Sequence, residues 1–183
     1  MTIIITTAAA LIILWGLFSY NKIIALKNQV SSAWSDIDVQ LTRRHDLIPE
    51  LVKTVKAYKD YEKETLELTT LIRSAEESHS PTQQQQLETK INNRLDKLIL
   101  LQEAYPELKA NSSFLQLMQA LTDTEDKLQY ARRYYNGSVK VYNTKLQQVP
   151  DNLIANLFRF KDAEFFELDT PEMAKAIKVD MND

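Results

Sequence analysis

Cysteine is absent from the 183 residues, and glycine occurs only at Gly16 and Gly137. The first absence excludes disulfide staples, thiolate metal sites and cysteine nucleophiles. The second, with only five prolines, leaves too few turn residues for a sheet-rich protein and excludes a glycine-rich phosphate loop. Histidine is scarce too. His45 and His79 stand far apart, so there is no HExxH or histidine-cluster metal signature. An excess of one charge is also missing: the formal net charge is -3, and Lys and Arg are spread almost as widely as Asp and Glu. Arg43-Arg44 and Arg132-Arg133 are isolated pairs without the continuous basic face that phosphates need, which argues against nucleic acid as a partner.

What is present is apolar patterning. Residues 3–20, IIITTAAALIILWGLFSY, carry no charge, and Thr6, Thr7 and Ser19 can return their hydroxyls to a helix backbone. Eighteen residues are just enough to span, and at about 1.5 Å per residue they extend roughly 27 Å, slightly short of a bilayer core. Trp15, Tyr20 and Lys22 are the residues that can anchor or snorkel at its exit. No basic segment precedes the run and no small-x-small site with a break follows it, so it reads as a transmembrane helix over 1–20 and not a cleaved signal. Lys22 and Lys27 follow it with no charged side chain in front, which places the rest of the chain in the cytoplasm and the N-terminus outside.

Behind the span, residues 20–78 read as one long amphipathic rod. Ile23, Leu26, Val30, Trp34, Ile37, Leu41, Ile48, Val52, Val55, Tyr58, Leu68 and Ile72 keep helical spacing, with Pro49 as the one strong breaker, predicting a bend or loosening there. A second helix is expected from Pro81 to about Ala104, with Ser80 capping it, a third from about Ser112 to Gln148, and a short fourth from Leu153 to about Phe158. The expected fold is all-α: the transmembrane helix continues into an elongated antiparallel up-down-up-down four-helix bundle over 21–168, two helices long and two short. Residues 169–183 read as a short terminal turn and a polar tail. The third helix would extend roughly 54 Å against roughly 88 Å for the rod. A membrane-proximal stalk over 21–41 would therefore keep the stripe Ile23, Leu26, Val30, Trp34, Ile37 and Leu41 uncovered. Such a stripe predicts association, as a coiled coil of identical chains or with another membrane protein.

Four blocks carry a family resemblance: AWSDIDVQLTRRHDLIPELVKTVKAY, AYPELKANSSF, EDKLQYARRYYNGSVKVYNTKLQQVPDNLIA and LFRFKDAEFFE. In this order they resemble the signature blocks of the LemA family, and the likeness covers nearly everything from Tyr20 to Glu167. His45 and Glu50 depart from its commoner polar residue and Asn, and Ala57 stands for a usual glycine. The resemblance implies a bacterial, membrane-associated protein with one N-terminal transmembrane helix, an extended helical domain in the cytoplasm and a poorly defined biochemical role.

No constellation of catalytic residues stands out. Asp36 and Asp38, two positions apart, point in different directions on a helix and cannot share a proton or clamp a metal. The dense polar sets are Asp36, Asp38, Arg43, Arg44, His45 and Asp46 in the rod, and Arg132, Arg133, Tyr135, Asn136, Tyr142 and Asn143 in the third helix. Arg44 falls in the apolar seam, where a buried partner such as Asp46 or Glu125 is expected. Two functions remain open. One is a noncatalytic, membrane-anchored scaffold or interaction protein without cofactor or metal, in which these sets fix helix register. The other is a ligand-binding or sensing module that uses a seam around Arg44 and Tyr135.

Overall fold

A single helix, α1 (Thr2–Lys56), carries the uncharged run straight into the folded domain in the computed structural model, which describes residues 1–57, 62–78 and 80–166. Its most apolar window has a mean hydropathy of 2.1 and is only 6% buried. A helix so apolar and so bare of protein is built to have lipid around it. Thr6 and Thr7 return their hydroxyls to the carbonyl of Ile3 at 2.9 and 2.7 Å, as a chain without water requires. From Ser19 onward one face becomes buried, at Ile23, Leu26, Ala33, Ile37, Leu41, Arg44, His45, Ile48, Leu51, Val52 and Val55.

The partner of that face is α5 (Ser112–Gln147), 36 residues long and antiparallel to α1. Phe114 and Leu121 pack near Ile48 and Leu51, Leu128 and Val139 near Ile37 and Leu41, and Tyr142 and Leu146 against Ile23 and Leu26. Around this two-helix axis the two ends differ. On the distal half, α2 (Glu62–Glu76) and α3 (Pro81–Ile99) form a hairpin that buries Leu68, Ile72, Ala75, Ile91 and Leu95 against Val52 and Val55. A 3-10 turn over Leu100–Glu103 and the short α4 (Pro106–Lys109) lead into α5, where the Asn111 side chain accepts from the Phe114 amide at 3.0 Å. On the membrane-proximal half, α6 (Asp151–Leu157) packs on α1 and α5. Arg159, at a left-handed φ of 55°, then turns the chain into an extended segment, 160–166, that runs back up the bundle.

Several sequence expectations are corrected. The rod is not continuous to residue 78: α1 ends at Lys56, with Lys53 and Lys56 complementing its C-terminal dipole, and α2 starts at Glu62. Folding back lets Leu68 and Ile72 meet Val52 and Val55, whereas a straight rod would leave both in water. Pro49 lies inside α1, which continues past it. The second expected helix stops at Ile99 and its last turn is 3-10. With six α-helices among the described residues, four of them shorter than 20, the architecture is not a simple four-helix bundle. The bare stalk is corrected as well. With the rod broken after Lys56, α5 is as long as the rest of α1 and covers the stripe, leaving Ile23 and Ile37 fully buried, Leu26 and Leu41 buried, and Val30 and Trp34 half-buried within one chain. Tyr58, His79 and the terminal turn and tail at 169–183 lie outside the described residues.

Candidate functional site

The polar sets come together in two separate places, and neither holds all of its expected members. The first is a polar layer midway along the bundle. Arg44 and His45 enter it from α1, Gln84, Glu88 and Asn92 from α3, and Thr124 and Glu125 from α5. Glu88 is its hub, 2% exposed. One carboxylate oxygen meets Arg44 Nη1 at 3.1 Å; the other meets His45 Nε2 at 2.8 Å and accepts from Gln84 Nε2 at 3.3 Å. Arg44 also donates to Asn92 Oδ1 and stands 3.6 Å from Glu125. A buried guanidinium with this many oxygen partners is satisfied where it lies, and the layer fixes the height of α3 against α1. Asp46 is exposed and is not the partner of Arg44; Asp36, Asp38 and Arg43 are exposed too.

The second place is a pair of rungs on α5. Tyr135 and Tyr142 are one heptad apart, as are Asn136 and Asn143, so each pair shares a face. Tyr135 Oη donates to the Glu164 carbonyl at 2.8 Å and Tyr142 Oη to the Lys161 carbonyl at 3.1 Å. Asn143 closes a two-bond ring with Ala163, accepting from its amide at 2.9 Å and donating to its carbonyl at 2.9 Å. Asn136 does the same with Phe166 at 2.9 and 2.7 Å. The spacing has a simple cause. Seven helical residues rise about 10.5 Å, and three extended residues span about 10 Å, so a heptad on the helix meets every third residue of the segment. Phe166 is then held between Trp34, at 6.0 Å between ring centroids, and the Arg132 guanidinium at 5.0 Å. Arg133 instead lies over the exposed Tyr130 ring. Burial, and then the charge of Glu164, push the Tyr135 phenol up to about 12; burial, and then Asp162, raise that of Tyr142.

A smaller buried cluster sits where α1 leaves the span. Asp151 accepts from Ser19 Oγ and from Lys145 Nζ, both at 2.5 Å. Burial alone would raise this carboxyl, but the Lys145 and Ser19 hydrogen bonds and the Lys145 charge outweigh it and hold the group below its usual value. Close by, the Tyr20 ring meets Phe158 at 4.7 Å and Phe160 at 5.8 Å in tilted contacts, while Trp15 is half-buried and Lys22 exposed.

The LemA family model matches residues 33–181, most of the chain. The chain belongs to the LemA family. Protein LemA of Metamycoplasma hominis is 26% identical over 163 residues, 84% of this chain and 74% of that protein. A shorter likeness, 31% over 75 residues, joins 41% of this chain to 28% of Magnetosome protein MamQ 2 of Paramagnetospirillum magneticum. Magnetosome protein MamQ of Magnetospirillum gryphiswaldense is 30% identical over 74 residues, 27% of its length. The sequence is thus that of a membrane-associated helical LemA protein. Sequence reasoning missed Glu88, Asn92 and Asp151. A signal for Glu88 was present, since Gln84, Glu88, Ile91 and Leu95 keep one helical face and Glu88 interrupts its apolar stripe as Arg44 interrupts that of α1.

Proposed function

We propose that this LemA-family protein is a noncatalytic scaffold tethered to the membrane by α1, with the bundle in the cytoplasm and the N-terminus outside. The observation that carries the reading is the continuity of α1. One helix is both the span and the longest member of the bundle, so the chain holds a rigid helical surface continuous with its membrane segment. The polar side chains favour a framework role as well. Arg44 and Tyr135 lie in different layers, and the phenol is spent on a backbone carbonyl. The hollow beside Arg44, about 280 Å³, is edged by Asn92 and Glu125, which already face the guanidinium. That leaves the sensing alternative at Arg44 and Tyr135 with less support. Partnership with a second copy or another membrane protein belongs to this reading, through the span and the exposed faces and not through the covered stripe.

Affinity purification from gently solubilised membranes, with mass measured in mild detergent, tests the scaffold. A reproducible protein partner or defined oligomer is expected. A strictly monomeric chain that recovers no protein, and whose melting temperature rises with a small molecule, would reverse the choice.

A further inference from the structure

α6 buries a charged residue and leaves two leucines bare, which is unusual for a helix in water. Its first two polar residues turn inward, with Asp151 buried on Ser19 and Lys145 and Asn152 half-buried, while Asn156 is exposed. Ala155 and Ile154 face the bundle, but Leu153 is 63% and Leu157 72% exposed, flanked by Val149 at 81% and Phe158 at 54%. Buried ionisable groups and bare leucines are what a lipid-facing element shows, because hydrocarbon rejects the charge and accepts the side chains. The height of α6 agrees. Ile154 Cδ1 lies 3.7 Å from where a Cβ on Gly16 would stand, and the Phe158 ring packs, tilted, against Tyr20. Gly16 is four helical residues, about 6 Å, to the membrane side of Tyr20. This is the depth of about 5–10 Å at which interfacial helices lie. The outward leucines also continue the lipid-facing surface of α1, where Leu17 is 56% and Phe18 74% exposed. Lys22, Arg159 and Lys161, all exposed, carry the sign that anionic headgroups attract, with Asp162 opposing them and Asp151 paired with Lys145.

We propose that α6 with Val149 and Phe158 is a second membrane contact, an interfacial foot seated in the acyl–headgroup boundary beside the span. It rests on the reading of residues 3–20 as a bilayer span. The foot adds apolar width on the exit side, where the span is slightly short of the roughly 30 Å hydrocarbon core. It also brings α5 and the extended segment to the bilayer surface, beside the span on which the bundle turns.

The absence of native cysteine makes the test direct. The full chain carrying Leu153→Cys or Leu157→Cys is labelled with bimane and reconstituted in vesicles of phosphatidylcholine and phosphatidylglycerol with acyl-chain nitroxides. Leu11→Cys in the span and Leu115→Cys at the distal end of α5 serve as references. The foot predicts nitroxide quenching at 153 and 157 several-fold above that at 115, together with protection from aqueous iodide. Iodide quenching without nitroxide quenching at 153 and 157 would overturn it. Protection from both would also overturn it, and would assign the patch to protein contact. If the label at residue 11 is not quenched by nitroxide either, the span itself is misread; quenching at 11 but not at 153 and 157 removes the foot alone.

Discussion

Glu88 bonds two basic side chains from a neighbouring helix while only 2% exposed. Replacing it by alanine leaves Arg44 and His45 in the core without their carboxylate, and the cost expected is about 3–5 kcal/mol. Arg94→Ala, which breaks an ion pair with Glu67 between side chains 40 and 34% exposed, should cost under about 1 kcal/mol. Thermal melting of the full chain in one detergent compares them, and equal melting temperatures would remove the hub role of Glu88. The tyrosines give a pH prediction. With the Tyr135 phenol raised to about 12 from 10.0, the folded chain keeps a proton that the unfolded chain releases. Stability from this group is complete below about pH 10 and declines as pH rises toward 12. Tyr135→Phe should flatten that decline in denaturant titrations at pH 9, 10 and 11; an unchanged slope would locate the alkaline sensitivity elsewhere. At this scale the sequence was partly legible. Arg44 stood out because a charge interrupted a stripe, but its partner could not be chosen, since Glu88 and Glu125 lie on helices whose register only packing decides.

Between elements, the heptad on α5 and the segment 160–166 form the most specific contact. Asn136→Ala and Asn143→Ala each leave one backbone donor and one acceptor without a partner, at a cost of about 1–3 kcal/mol. The loss should be local. Hydrogen exchange at Ala163 and Phe166 is expected to quicken while exchange in α3 stays slow, and uniform acceleration would mean that the segment supports the whole bundle. Ala163→Pro should do the same by removing the amide that Asn143 accepts from. The Tyr-Asn repeat was visible in the sequence, but not what it binds. An extended strap with its bonds made by main chain has no periodicity to read, whereas α1, α3 and α5 showed theirs. The break after Lys56 was hidden for a related reason. No glycine or proline marks it, and only the burial of Leu68 and Ile72 against Val52 and Val55 explains the fold-back.

For the whole molecule, orientation can be tested with the charges now placed near the membrane. Lys22 and Lys27 are joined by Arg159 and Lys161, which sequence order keeps far from the span and the fold brings close to it. A cytoplasmic bundle predicts that protease added to intact spheroplasts leaves the chain beyond Tyr20 uncut until lysis; cleavage before lysis reverses the topology. The unbroken α1 has a mechanical consequence. It is a lever pivoting in the bilayer, with the span as its short arm and about 54 Å of helix beyond Tyr20 as its long one. Spans answer a change in bilayer thickness by tilting, and a tilt of about 10° carries the far end of such an arm roughly 9 Å sideways. A thickness change of a few ångströms at the lipid is thus magnified at the far end of α1. Energy transfer between a label at the C-terminal end of α1 and a surface dye should follow acyl-chain length, and a distance indifferent to chain length would show that the arm does not pivot.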